Sequence, residues 1–204
     1  MNYLGHLALS PKANDWQLGS LLGDHIKGYI TDDTERTLGK EIVAGIRLHR
    51  RLDAWADQNK HFVDSAMRLT SQRYRFSKIF VDLFYDHYFS KNWAELHPEK
   101  LKDFSEGVYE LIRTNRHLLP REARPRFDLM VEEDWLQKYA DLDFLKITIE
   151  RVEKRLSRTK DLSGIFENFK TNYLAIERDF FAFFPEANGF AKKTVGELSP
   201  NTKR

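Results

Sequence analysis

His49 and Asp53 stand four residues apart in "GIRLHRRLDAW" (45–55), with Arg47, Arg50 and Arg51 around them. On a helix, side chains at i and i+4 are neighbours, so this imidazole and this carboxylate can reach one cation. A His–Asp pair closing a helix edge is the alternative. Asp82 and Asp86 repeat the spacing in "FSKIFVDLFYDHYFSKN" (76–92) and project among Ile79, Leu83 and Phe89. A carboxylate among such residues is costly unless it is paired or ligates a cation. Two on one face repel each other, so a counter-charge is needed, from Arg50 or a divalent metal. A buried Arg–Asp network is the alternative here. His87 falls with Phe80 and Leu83.

Asp24 sits in "GSLLGDHIKG", where Gly19, Gly23 and Gly28 let a backbone or a ligand come close. It borders an apolar stripe, and His25 lies within that stripe as a hydrogen-bonded core residue. His6, in "NYLGHLAL", stands in a short apolar lead-in. His61, His97 and His117 fall near helix ends or in loops and receive no role. The candidate set is therefore His6, Asp24, His49, Asp53, Asp86 and His87. Nitrogen and carboxylate ligands without sulfur suit Mn²⁺, Fe²⁺, Zn²⁺ or Mg²⁺. No GxGxxG, P-loop, HExxH or G-x-S-x-G motif is present, which leaves metal-assisted hydrolysis as the best-supported chemistry.

These residues must be positioned by helices. Almost the whole chain reads with helical period, with only 6 Pro and no internal repeat. Asp15 is expected to cap a helix running to about Tyr29, with Leu18, Leu22, His25, Ile26 and Tyr29 on one stripe. "ITDDTERTLGKE" reads as a loop into a second helix at about 38–58, in which Ala44, Leu48, Leu52 and Trp55 face the core and Arg47 and Arg51 face away. Further helices are expected at about 60–70, with a break or bend at 71–75, then at 76–92, from "HPEKLKDF" with Pro98 in its first turn to about 118, and at 122–138, 142–156 and 162–184. Pro185 and Gly189 should stop the last. The reading is an all-α single domain of seven to nine helices over 1–185, followed by a polar, frayed tail at 186–204.

Composition narrows the class. The chain has 204 residues, 41% hydrophobic and 13% aromatic, including 15 Phe, which suits one folded domain with a real core. No Cys is present, which excludes disulfides and thiolate chemistry and fits a reducing compartment. No signal peptide or apolar run of spanning length is visible, so a soluble, cytoplasmic protein is expected. A net charge of +2 gives no nucleic-acid footprint, yet positive charge clusters in "RLTSQRYRFSK" (68–78), which includes Arg73 and Arg75, and in "RTNRHLLPREARPR" (113–126). Local basic patches on a nearly neutral whole point to an acidic partner or a phosphate-bearing substrate, with a solvated Arg face as the alternative.

"MNYLGHLAL", "GSLLGDHIKG", "VAGIRLHRRLDAW" and "DLFYDHYFSKNW" resemble, in order and spacing, the acyl carrier protein phosphodiesterases. "WLQKYADLDFL" and "NYLAIERDFFAFFP" are similar to that family's C-terminal half, so the likeness spans about 1–185. It implies a fold distantly like the HD-type metal phosphohydrolases and a Mn²⁺-dependent reaction that removes 4′-phosphopantetheine from holo-acyl carrier protein. The adjacent His-Asp pair of HD enzymes is absent, and the pair at Asp86-His87 is reversed. Under this resemblance Asp24, His49, Asp53 and Asp86 hold the metal, and His6 or His87 protonates the leaving serine oxygen. Arg50 holds the diester oxygens. Arg47, Arg51, Arg73 and Arg75 dock the acidic carrier. Two other readings share the same residues: an HD-like phosphohydrolase acting on a nucleotide or small diester, and a non-catalytic helical binding module.

Overall fold

Thirteen helices form among the described residues, and no strand does. The computed structural model describes residues 1–69, 74–156 and 164–199, without the side chains of 74 and 75. In chain order the helices are α1 Tyr3–Leu9, α2 Asn14–Leu22, α3 Asp32–Leu38, α4 Lys40–Ala56, α5 Lys60–Leu69, α6 Tyr74–Lys91 and α7 Trp93–Leu96. They continue as α8 Leu101–Thr114, α9 Arg124–Glu132, α10 Trp135–Lys138, α11 Leu142–Leu156, α12 Ile165–Thr171 and α13 Tyr173–Leu198. The all-α single domain stands, but the count exceeds the expected seven to nine because several long periodic stretches are divided.

The abundance of Phe is explained by the centre of the molecule. α6 buries Phe80, Phe84, Tyr85, Tyr88 and Phe89 against Phe169 of α12 and Phe180 and Phe183 of α13. Phe84 and Phe169 stack at 3.8 Å, and Tyr85 lies 5.0 Å from Phe183. Truncating one such ring to Ala costs about 3–5 kcal/mol. This aromatic wedge fixes α6, on which α1 then packs. α2 crosses α4 at unusually close range. A Cβ on Gly19 would lie 2.0 Å from the Ile42 carbonyl oxygen, and one on Gly45 would lie 2.2 Å from that of Trp16. Only glycine permits this backbone-to-backbone approach.

Where boundaries differ from the sequence reading, the causes are local. α2 ends at Leu22 because the His25 and Ile26 N–H groups both return to the Leu22 carbonyl, and the chain then turns through Gly28 at φ 74°. Tyr29 is consequently 96% exposed instead of lying on an apolar stripe. Ala13, not Asp15, occupies the N-cap. The expected loop at 30–41 contains α3, started by a reciprocal Thr31–Thr34 capping box. His97 is extended ahead of Pro98, so the helix expected from there begins only at Leu101. Asp134, at φ 52°, separates α9 from α10. Asn172 separates α12 from α13.

The largest correction is at the C-terminus. α13 passes through Pro185 and Gly189 and runs to Leu198, so no break separates 1–185 from a frayed tail. A mid-helix proline costs about 3 kcal/mol. Here Ala187, Ala191 and Thr194 continue the buried face beyond it, and α13 packs on α4 and α5. Of residues 71–75, where a break or bend was expected, 71–73 lie outside the described residues and Tyr74 already opens α6.

Candidate metal centre

Asp86 sets the first piece of the site. It projects from α6, and its two oxygens accept the backbone N–H groups of Leu4 (2.8 Å) and Gly5 (3.0 Å). These are orphan donors in the first turn of α1, which no side chain of Asn2 caps. A carboxylate at a helix N-terminus also suits the helix dipole. α1 is thereby pinned to α6, and one turn later it presents His6.

α4 brings the partners. His6 and His49 are 1% and 3% exposed, and their rings stack with centroids 3.8 Å apart. Asp53, one turn beyond His49, reaches both. Its Oδ1 lies 2.9 Å from His6 Nε2, and its Oδ2 lies 3.2 Å from His49 Nε2. Asp24, just past α2, adds an oxygen 3.4 Å from His49 Nε2. His6, His49 and Asp53 each offer a ligand atom within 4.8 Å of the others. Gly23 makes the space: a Cβ there would stand 2.2 Å from His49 Cγ.

None of the four buried ring nitrogens of His6 and His49 has an aligned hydrogen-bond partner among the described residues. Buried polar groups are nearly always satisfied, so the Nε2 atoms of the two rings, gathered at Asp53, call for a missing partner. A divalent cation supplies it: neutral imidazole nitrogens and a carboxylate oxygen are its ordinary donors.

The electrostatics divide the two histidines. Burial, with His49 alongside, holds His6 down at about 4, so it is neutral and free to donate a lone pair. Burial also acts to lower His49, but the nearby carboxylates of Asp24 and Asp53 outweigh it and lift it to about 9. Asp24 is lowered to about 2, chiefly by His49. Asp53 is buried, which acts to raise it, yet His6 and His49 hold it well below the usual carboxylate range. In the absence of a cation, His49 carries the positive charge that the two carboxylates require.

Other residues read as candidates are placed elsewhere. Asp86 is committed to the α1 backbone, and burial pushes it up to about 7 against the Gly5 and Leu4 N–H groups. Asp82 pairs with the Met1 amino group, so the counter-charge expected from Arg50 or a metal comes from the backbone terminus. His87 places Nδ1 on the Tyr139 carbonyl and Nε2 on the Tyr173 hydroxyl, both at 2.8 Å, away from the cluster. Arg50 donates to the carbonyls of Ile26 and Gly28 and so braces the turn after α2. Arg47 lies 3.6 Å from Glu35, and Arg51 lies 2.8 Å from Glu197. His25 bonds the Tyr3 hydroxyl at 3.3 Å. Arg73 and the side chain of Arg75 lie outside the described residues.

Two cavities meet at the cluster, sharing Asp53, Ile79 and Asp82 as lining. One, of about 490 Å³, is bounded by Asp57, Phe62 and Lys78. The other, of about 560 Å³, extends from Asp24 and Asp53 between α6, α9 and α11 to Arg126, Arg151 and Arg155. Sequence reading missed these three arginines as a group. Only the basic run ending at Arg126 hinted at one of them, because α9 and α11 come together only in the fold.

A stacked His pair bridged by Asp53, open to two cavities, can hold a cation and present it to an anionic substrate. The comparisons agree with that chemistry. A family model described as acyl carrier protein phosphodiesterase matches residues 1–187. The chain is 31% identical over 193 residues to the acyl carrier protein phosphodiesterase of Pectobacterium atrosepticum, covering 94% of this chain and 98% of the relative. It is 31% identical over 186 residues to that of Yersinia enterocolitica, covering 91% and 94%. The corresponding Escherichia coli O157:H7 protein is 30% identical over 190 residues, covering 91% and 94%. No solved structure matches.

Proposed function

The chain belongs to the acyl carrier protein phosphodiesterase family, and on that premise we propose that it hydrolyses the phosphodiester of holo-acyl carrier protein to give the apo protein and 4′-phosphopantetheine. The observation that carries this reading is the convergence of one unpartnered ring nitrogen from each of His6 and His49 with an Asp53 oxygen, within 4.8 Å of one another.

His6, His49 and Asp53 would hold a divalent ion, with Asp24 beside them. Nitrogen and oxygen donors without sulfur suit Mn²⁺. Such an ion supplies Lewis acidity to a phosphoryl oxygen and to the attacking water. His6 serves as a ligand, since burial keeps it neutral. Asp24 is the more exposed carboxylate of the cluster and lines the cavity, so it is placed to take the water's proton. Asp86 acts through the backbone by fixing α1, and His87 belongs to the packing of α6 against α13.

Arg47 and Arg51 lie exposed on α4, the helix that carries His49 and Asp53. Their pairings with Glu35 and Glu197 are surface ion pairs, each worth about 0–1 kcal/mol, so acidic groups of a carrier can compete for them. Catalytic side chains drawn from separate helices of an all-α domain support the HD-type reading of the fold. No helix among the described residues is long and apolar enough to cross a membrane. The absence of Cys favours a cytoplasmic site of action.

The test is to incubate the protein with holo-carrier and Mn²⁺ and weigh the carrier. Loss of the pantetheine arm supports the reading. An intact carrier beside hydrolysed small diesters excludes it.

A further inference from the structure

The cavity that leaves the cluster toward α9 and α11 is lined by both signs of charge. Asp24, Asp53 and Asp82 contribute carboxylates, and Arg126, Arg151 and Arg155 contribute guanidinium groups. Arg151 is already satisfied by Glu133 at 2.8 and 3.1 Å. Arg126 and Arg155 are different. Burial and the neighbouring Arg126 push Arg155 below its ordinary value, and Tyr3 acts in the opposite sense. Arg126 stands beside the Tyr3 hydroxyl, on α1 three residues before His6. Two guanidinium groups that line one cavity and repel each other are relieved by an anion bound between them, and their planar forks match phosphate oxygens.

The rest of the lining is mixed. Leu83, Leu129 and Val152 are apolar, whereas Asn2 and Thr148 offer hydrogen-bonding groups. A phosphopantetheine arm combines the complementary chemistries: an anionic phosphate, a gem-dimethyl carbon and two amides. The volume, about 560 Å³, falls within the range of roughly 300–1,000 Å³ typical of small-molecule sites. Arg50, the obvious phosphate ligand from sequence, is occupied by backbone carbonyls, so the phosphate needs another cation.

We propose that this cavity seats the phosphopantetheine arm, with Arg126 and Arg155 gripping its phosphate beside the His6–His49–Asp53 cluster. The proposal rests on the phosphodiesterase reading for the identity of the arm. It makes Arg126 and Arg155 substrate-binding residues and the apolar wall a determinant of specificity.

The experiment is a calorimetric titration of the full chain, with EDTA present, using 4′-phosphopantetheine and pantetheine as separate probes. The wild type should bind the phosphorylated probe at least about tenfold more tightly, the value of one charge-assisted contact. Arg155→Ala should erase that preference without changing pantetheine binding. Arg126→Lys should keep part of it, since charge remains and the fork is lost. Val152→Trp should weaken both probes. Equal affinity of the wild type for the two probes overturns the proposal, as does an Arg155→Ala variant with wild-type affinities. Arg155 is exposed, so its removal leaves the fold intact. Holo-carrier conversion, followed in parallel, separates the two layers. If the wild type releases the arm and the variants keep its KM, the cavity assignment fails and the phosphodiesterase reading stands. If the carrier stays intact, that reading fails. Tight, Arg155-dependent binding of 4′-phosphopantetheine then still upholds the cavity, and its absence overturns it.

Discussion

His6 and His49, on α1 and α4, lie face to face with ring planes 18° from parallel and centroids 3.8 Å apart, and a single carboxylate, Asp53, spans both rings. Stacking aligns the ring edges, so Nε2 atoms from two distant helices open toward one point. Neither ring is turned to make an ordinary hydrogen bond.

Asp53 is therefore the residue whose loss should cost the cation most. Asp53→Asn keeps shape and removes charge. We expect metal affinity to fall on the order of a hundredfold or more, beyond the tenfold to hundredfold typical of supporting residues. Turnover should fall with it. The metal-free protein should stay folded but melt somewhat lower, because Asp53 is an ion partner of the buried His49. Equilibrium metal titration of the two proteins checks this, and equal affinities exclude Asp53 as a ligand.

Asp86→Ala should behave in the opposite way. It strips the only side-chain acceptor from two buried N–H groups of α1, a loss of about 2–4 kcal/mol. For a chain of this size, melting should drop by roughly 5–15 °C. Asp86→Asn retains one acceptor oxygen and should lose less. Metal affinity should fall less than in Asp53→Asn. Thermal melts alongside metal titrations separate the two carboxylates, and a fully stable Asp86→Ala that binds no metal would make Asp86 a ligand after all.

Gly23→Ala probes the room left for His49. Gly23 has ordinary helical angles (φ −50°, ψ −43°), so alanine is not strained there by its backbone. The added Cβ would nonetheless sit 2.2 Å from His49 Cγ and must push the ring aside. Overpacking of this kind costs about 1–3 kcal/mol. We expect metal affinity at least about tenfold weaker. Unchanged affinity would mean that the ring position is not set by this contact.

Metal binding should be strongly pH-dependent. His49 is held at about 9 against an ordinary 6.5, so in the metal-free protein it is protonated through neutral pH, and a cation must displace that proton. Apparent affinity should climb about tenfold per pH unit from 7 to 9 and flatten above. The folding sign follows from the raised value. The stability that His49 contributes without metal is fully present below pH 6.5 and is lost as the pH rises through 9. A chelator-competition titration across pH checks this, and an affinity flat from 7 to 9 contradicts it.

What could be read from the chain was what local spacing encodes. His49 and Asp53 were legible because i and i+4 meet on any helix, and Asp86 was legible as buried from its apolar neighbours. The partners of Asp82 and Asp86 were not, because the Leu4 and Gly5 N–H groups and the Met1 amine reach them only when α1 lies on α6. His6 was a candidate by residue type, but its stacking on His49 is a tertiary fact. Pro185 was misread because propensity was weighed without the buried face that Ala187, Ala191 and Thr194 carry beyond it. Arg50 looked like a free cation until the turn through Gly28 brought two carbonyls to it. Arg126 and Arg155 meet at one cavity only because the fold brings α9 and α11 to its lining.

The central claim is a metal-dependent hydrolysis carried by His6, His49 and Asp53. The most direct measurement is the intact mass of holo-carrier after incubation with Mn²⁺ and either the wild type or Asp53→Asn. The account predicts that the wild type converts the carrier to its apo mass and releases 4′-phosphopantetheine, that EDTA prevents this, and that Asp53→Asn leaves the holo mass in place. A carrier untouched by the wild type, or converted as fast by Asp53→Asn, would contradict it.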